Sequence, residues 1–340
     1  MYFDKVQNLV IIQLWRQSFV SSMNFFRSFS VYLMLQVLAK FRFIYSYTGL
    51  KSRRGDFHST SLHAVQKRIR NRIGDHNNRK GSRESSSSSA LTTEETFQVV
   101  ERAVQQHSSS MIEGLKSKGY AVIDSFLPLA TLPSAMRLEA AHLYASNHMT
   151  LIQSTRYDPK TSSVIAYNKH NVYSLQLPGG ELYYSSPRLH EYCVAMVKSV
   201  VPVLSSAFPE SNLCPVFVSN KLAVCIGEGS AYDKHYDNSG LDDRRKITIL
   251  IYLNPSWTKE QGGCFRIYHS LEEYTDIEPI MNRVLIFWSD RLVHSVQPSF
   301  APRGEEDHRY ALTLWLTSKS VENIARDDEE VTRHFGSSLR

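Results

Sequence analysis

From residue 221 onward the chain breaks into short apolar runs, and this constrains its fold more than any other feature. Residues 221–226, 245–253, 264–268, 283–288 and 309–317 are rich in Val, Ile, Leu, Phe, Tyr and Thr, with Gly, Asn, Asp or Pro in the turns between them. A parallel pair of strands needs a crossover of a dozen or more residues, usually a helix. No helical crossover fits between these runs, so the sheet is expected to be antiparallel. Several short strands at such spacing predict a sandwich or a small barrel.

Upstream of these strands the text is helical. Thr93 followed by Glu95, then Val99, Val100, Ala103 and Val104, reads as a helix start near Thr92 that continues through 110–116 and stops at Gly119. Tyr120 to Asp124 reads as a first strand. A second helix follows Pro133, with Met136, Leu138, Ala141 and Leu143 expected on its core side. Residues 150–180 read as strands and an exposed loop ending at Gly179-Gly180, and Pro187 opens a third helix through Leu189, Val194, Val197 and Val201. The fold class expected is mainly β with flanking helices, in a domain that spans 92–320 and is followed by a polar C-terminal tail, 321–340.

Charge divides the chain. Its net charge is +6 over 340 residues, but residues 1–90 hold 15 Lys plus Arg against 4 Asp plus Glu. The other 250 hold 24 against 29. The basicity therefore belongs to an N-terminal extension rather than to the strand-bearing part, and no nucleic-acid partner is expected for the latter. Residues 1–50 are hydrophobic, basic and acid-poor, and their longest uncharged run, 28–39, is too short to span a bilayer. Three readings stay open for them: an organellar transit peptide, an unstructured extension, and a membrane-associating segment. Residues 51–91 carry the run Lys67, Arg68, Arg70, Arg72 and a serine tract at 85–89, a composition that favours a solvated linker. The four cysteines, Cys193, Cys214, Cys225 and Cys264, form no CxxC pair and read as free thiols in a reducing, intracellular compartment, cytoplasm or nucleus.

The chemistry gathers around His235-Tyr236-Asp237. An HxD alone has little specificity, but His294 follows at the end of another strand-like run, Phe287 to His294. Two histidines and one carboxylate on a β-framework are a ligand set for non-haem Fe(II). The imidazoles must be neutral and the carboxylate ionised, so metal affinity should fall at acid pH. In Arg309 to Trp315, a period of two puts Arg309, Ala311, Thr313 and Trp315 on one strand face. A cation facing a barrel interior needs an anionic partner, and a bound dicarboxylate would supply one. Tyr252 stands on the strand after the HxD and adds a neutral hydrogen-bond donor.

The chain resembles the 2-oxoglutarate- and Fe(II)-dependent prolyl hydroxylases of the hypoxia-inducible-factor (egg-laying-nine) type. The matching text is HYDN at 235–238, IYLNPSW at 251–257, GGCFRIY at 262–268, DIEP at 276–279, RVLIFWSDR at 283–291, HSVQP at 294–298 and RYALTLW at 309–315. The resemblance covers roughly 100–318 and is strongest over 222–318. It implies a double-stranded β-helix of the jelly-roll or cupin-like kind flanked by helices. It implies Fe(II) held by His235, Asp237 and His294, and 2-oxoglutarate held by Arg309 and Tyr252. Thr313, Phe265, Trp315 and Tyr232 would line that pocket. Further implied are O2 as co-substrate, L-ascorbate as a supporting cofactor, a monomer without a transmembrane span, and a protein substrate that bears a target proline. An oxygen-sensing role is the corresponding physiological expectation.

Three departures from the family pattern stand out. Arg309 lies 15 residues after His294, with an insertion at 302–307 that offers Arg303 as a rival; the strand text around Arg309 favours it. Cys225 stands where these enzymes often carry a tyrosine near the iron pocket, and the segment 151–180 matches poorly. Outside the motif, His269 and His308 read as satisfied or exposed side chains, Gly262-Gly263 as a tight turn, and Asp242 to Arg245 as a solvated turn. The alternatives to prolyl hydroxylation are a 2-oxoglutarate oxygenase for another substrate class, such as collagen, lipids or small molecules, and a non-catalytic metal-binding β-barrel module.

Overall fold

The computed structural model describes residues 91–158, 163–238, 240, 242–324 and 328–335. The extension and linker expectations for 1–90 fall outside the described residues.

The described part opens with helix α1 (Thr93–Ser117), whose Thr92 and Glu95 close a reciprocal capping box at its first turn. Strand β1 (Tyr120–Ile123) follows, then α2 (Thr131–Ala145), β2 (Thr150–Asp158), β3 (Ser163–Leu175), a short α3 (Glu181–Ser185) and α4 (Pro187–Ala207). The remaining strands are β4 (Leu213–Cys225), β5 (Ser230–His235), β6 (Arg245–Tyr252), β7 (Phe265–Tyr268), β8 (Tyr274–Ile277), β9 (Val284–Trp288), β10 (His294–Ser299) and β11 (Arg309–Ser318). Helix α5 (Asp328–Phe335) ends the described chain.

All strand pairings are antiparallel, in two sheets. The large sheet runs β1-β9-β6-β11-β4-β3-β2 and the small one β5-β10-β7-β8. Side-chain parity in the large sheet builds two cores. Ile247, Ile249 and Ile251 of β6, with Tyr310, Leu312 and Leu314 of β11, face α1, α2 and α4 in one apolar cluster. Leu250 and Tyr252, with Leu285, Phe287 and Ala311, face the small sheet and meet Phe265, Ile267, Ile277 and Val296. Two facing antiparallel sheets with helices backing one of them make a double-stranded β-helix of the jelly-roll type.

Several sequence expectations need correction. Leu138 of α2 is 41% exposed and Val194 of α4 is 48% exposed, so neither belongs to the core. Met136 and Leu143 are buried as expected, and the α2 stripe continues through Leu132 and Ala140; on α4 Leu189 and Val201 are buried as expected, with Cys193, Met196 and Val200 beside them. Strands β5, β8 and β10 are additional to the expected set. His235 therefore ends β5 rather than lying in a loop before the next strand, and His294 begins β10. Arg245 is not part of a free turn: it is the first residue of β6 and forms an ion pair with Asp243.

Candidate metal and dicarboxylate site

Two strand ends create the site. In the small sheet His235 of β5 and His294 of β10 are direct cross-strand partners. Their rings lie 4.3 Å apart between centroids. Asp237 follows two residues after the end of β5, and its Oδ1 is 3.7 Å from Nε2 of both histidines. One ligating atom from each residue lies within 4.8 Å of the other two.

Neighbouring groups fix which atoms face this centre. Nδ1 of His235 lies 2.7 Å from the Asp233 carbonyl, and Nδ1 of His294 lies 3.0 Å from the Leu292 carbonyl. A carbonyl accepts only, so each Nδ1 carries the proton and each Nε2 presents its lone pair to the centre. On Asp237, Oδ2 accepts from the Thr248 hydroxyl at 2.7 Å and from the Trp315 indole N–H at 3.1 Å. That leaves Oδ1 turned to the imidazoles. Burial pushes the Asp237 carboxyl up, but the adjoining His235, His294 and Lys221 outweigh it and hold it well below the usual carboxylate range. Burial and the neighbouring His235 push His294 down to about 3, so it is neutral near pH 7. Two neutral nitrogens and one anionic oxygen are a donor set suited to Fe(II), and the residues fit that ion.

Aromatic rings seal one side. Phe265 stacks on His294 with centroids 4.7 Å apart, and Phe287 meets the same ring at 5.0 Å. Phe265 is expected on sequence to line a 2-oxoglutarate pocket, and the structure places it against the metal-facing histidine.

Deeper in the barrel, Arg309 is 5% exposed and pairs in register with Cys225 of β4. Its Nε donates to the Gly263 carbonyl at 2.7 Å. Among the described residues no carboxylate lies within ion-pair distance of it. Gly263 has a φ of +71°, and a Cβ there would sit 2.6 Å from Cδ of Arg309, so the turn and the close approach both require glycine. The rival Arg303 is spent elsewhere: it pairs with Asp307 in the inserted turn, with its side chain 49% exposed. The Arg309 guanidinium lies 5.3 Å from the centroid of the Tyr252 ring, whose buried hydroxyl has no hydrogen-bond partner. Burial pushes the Tyr252 phenol up to about 12, which leaves it a neutral donor. A buried cation without an acid beside an orphaned hydroxyl is a cradle for a carboxylate, and the pair fits one end of 2-oxoglutarate.

Thr313 is buried on the same face of β11, in register with Leu250 and Lys221. Trp315 and Tyr232 both line an open cavity of about 460 Å³ that reaches His235 and Asp237, and the Tyr232 phenol also feels the Arg309 charge. The sequence reading overlooked Thr248, the two backbone carbonyls that orient the histidines, and Lys221. Only Lys221 left a sequence signal, since a period of two from Cys225 places it inside the barrel.

Comparisons with known proteins follow the same residues. Residues 221–317 match the 2OG-Fe(II) oxygenase superfamily. The chain is 43% identical over 123 residues to "Prolyl hydroxylase EGLN3" of Homo sapiens, covering 33% of this chain and 48% of that protein. It is 39% identical over 107 residues to "Hypoxia-inducible factor prolyl hydroxylase" of Caenorhabditis elegans, covering 31% of this chain and 14% of that protein. The match spans about half the length of the first of these relatives. Among solved structures, a prolyl 4-hydroxylase from Phytophthora capsici aligns with a TM-score of 0.53 at 25% identity, over 69% of each chain. No described helix is long and apolar enough to cross a membrane. Residues 221–317 are thus similar to the 2OG-Fe(II) oxygenase superfamily, and the relatives they match include prolyl hydroxylases of the egg-laying-nine type.

Proposed function

We propose that this 2OG-Fe(II) oxygenase domain works as a dioxygenase that hydroxylates prolyl residues of an intracellular protein, in cytoplasm or nucleus, with an oxygen-sensing role. The observation that carries the reading is the convergence of the two Nε2 lone pairs and Asp237 Oδ1 on one point, beside a buried arginine that lacks an acid. The kinship with prolyl hydroxylases supports the choice of proline as target and of L-ascorbate as the supporting cofactor.

His235, Asp237 and His294 would hold Fe(II), and Arg309 with Tyr252 would hold the far carboxylate of 2-oxoglutarate. When bound, iron together with 2-oxoglutarate and O2 supplies the oxidising power that replaces a C–H of proline by C–OH. The chain's own part is placement and exclusion. Thr248 and Trp315 hold Oδ2 of Asp237, so that carboxylate offers one oxygen and leaves the rest of the coordination sphere to substrates. The guanidinium fixes the co-substrate's orientation through charge-assisted hydrogen bonds, and the neutral Tyr252 hydroxyl adds a third contact without adding charge. Phe265 and Phe287 keep water from the His294 side. The cavity lined by Tyr232 and Trp315 opens toward the same metal-facing atoms and is the route by which a peptide reaches them.

The test is hydroxylation of a peptide library read by mass spectrometry, with and without Fe(II) and 2-oxoglutarate. Proline hydroxylation that needs both is expected, and His235→Ala or Asp237→Ala should reduce it to background while the protein stays folded. Hydroxylation that survives either substitution would overturn the metal assignment. Failure to bind 2-oxoglutarate anaerobically with Fe(II) would instead favour a non-catalytic module.

A further inference from the structure

The cavity that leads to the metal-facing atoms contains two lysines, of which only Lys221 bears on the chemistry above, through the Asp237 carboxyl it helps to keep ionised. Lys221 lies on β4, opposite Thr313 of β11, so it points to the barrel interior. Lys169 comes from β3. The ammonium groups of Lys221 and Lys169 sit 5.5 and 4.2 Å from the centroid of one ring, that of Tyr232. Lys221 also lies 5.1 Å from the Trp315 ring. Neither lysine makes a hydrogen bond or an ion pair among the described residues. Arg245, the third cation lining the cavity, differs in this respect because Asp243 neutralises it. Among the described residues the one acid lining the cavity is Asp237, whose oxygens are committed to Thr248, Trp315 and the metal-facing centre. The buried hydroxyl of Tyr232, the tyrosine whose ring both lysines approach, has no hydrogen-bond partner either.

Two half-buried ammonium groups beside one ring repel each other and have lost part of their hydration. Burial pushes both lysines down, and the charge of Lys221 pushes Lys169 further. The aromatic faces of Tyr232 and Trp315 offset only a part of that cost. Among the described residues neither ammonium is in an ion pair, although Asp237 attracts both and Asp233 attracts Lys169. An anion entering the cavity would meet two ammonium donors gathered on one aromatic ring.

We propose that Lys169, Lys221 and Tyr232 form a carboxylate-binding subsite that selects peptide substrates with an acidic residue near the target proline. The inference rests on the peptide-oxygenase reading given above. The subsite is separate from the Arg309–Tyr252 cradle, since Lys221 and Arg309 stand four residues apart along β4 and its partner register, with Ala223 and Ala311 between them. It sets substrate choice rather than co-substrate affinity.

The experiment uses the full chain with Fe(II) and 2-oxoglutarate and a set of fluorescent ten-residue peptides with a central proline. Each peptide carries Asp at one flanking position and is paired with its Asn isostere. Binding is read by anisotropy and turnover by mass spectrometry. At one flanking position the Asp peptide should bind about tenfold more tightly than its Asn twin, the size of a charge-assisted contact. The substitutions Lys221→Met and Lys169→Met should each reduce that ratio, and the double variant should bring it near one, with the affinity for 2-oxoglutarate unmoved. Lys221→Arg should retain most of the preference. Equal binding of Asp and Asn peptides at every position would overturn the proposal. So would a double variant whose affinity for 2-oxoglutarate falls, since that assigns the lysines to the co-substrate. The binding arm needs no turnover: peptides bound with the Asp preference but not hydroxylated would refute the oxygenase reading and leave the subsite standing.

Discussion

The two faces of the large sheet are built on opposite terms. Toward the helices, Ile247, Ile249, Ile251, Tyr310, Leu312 and Leu314 are almost wholly buried among α1, α2 and α4. Toward the small sheet, the same strands present Thr248, Tyr252, Arg309 and Thr313, and Tyr252 lacks a hydrogen-bond partner. The first face stabilises the domain. The second carries desolvated polar groups that cost stability and are repaid only by a ligand. Where two faces of one strand differ so much, substitutions on each should be seen by different measurements.

The largest separation is expected at Arg309. Arg309→Gln removes the charge from the cradle, so KM for 2-oxoglutarate should rise about 100-fold, while thermal stability holds or improves because a desolvated cation is gone. A fall in stability of the size of a core deletion would contradict the division of labour. On the opposite face of the same strand, Leu312→Ala should do the reverse. It should cost about 3 kcal/mol of unfolding free energy in denaturant titration and leave KM for 2-oxoglutarate in the folded protein near its original value. Thr248→Val tests the boundary between the faces. It removes one of the two donors to Asp237 Oδ2 with almost no change in volume, and metal affinity should fall about tenfold in a competition titration. Unchanged affinity would show that the Trp315 indole suffices alone.

The smallest effect is one of pH and lies outside both faces. Burial pushes the Asp307 carboxyl up, but Arg303 outweighs it and holds it below its ordinary value. A depressed acid stabilises the fold at pH above its unfolded value and loses that contribution as pH falls through its folded value. Stability should therefore decline below about pH 4, and Asp307→Asn should remove part of that decline. Stability curves of the wild type and of the Asp307→Asn variant that run parallel down to pH 2 would exclude the linkage.

Much of this was legible in the sequence, for identifiable reasons. The HxD, the distant histidine and the arginine strand are read directly because their chemistry depends on residue type and order. The inner strands β6, β9 and β11 of the large sheet are legible because they are buried on both faces and so are almost continuously apolar. The strands of the small sheet are not. Residues 230–235 and 274–277 carry charges and half-exposed side chains, and 294–299 includes a proline, so no alternation marks them. That blind spot hid the pairing of His235 with His294, which lies wholly within the small sheet. The carbonyls of Asp233 and Leu292 leave no trace in residue identity, because the backbone of any residue offers the same acceptor. On α2 and α4 the periodicity finds Met136, Leu143, Leu189 and Val201, while the exposed Leu138 and Val194 show how little it constrains when apolar residues are abundant on several sides.

Strand β11 belongs to both faces at once, and this has a practical consequence for any survey of variants. Along Arg309 to Leu316, odd-numbered positions look into the barrel and even-numbered positions look to the helices. The parity of a residue number thus forecasts which instrument will notice its loss. A scan of this one strand should alternate, residue by residue, between defects that appear in an activity assay and defects that appear in a melting curve.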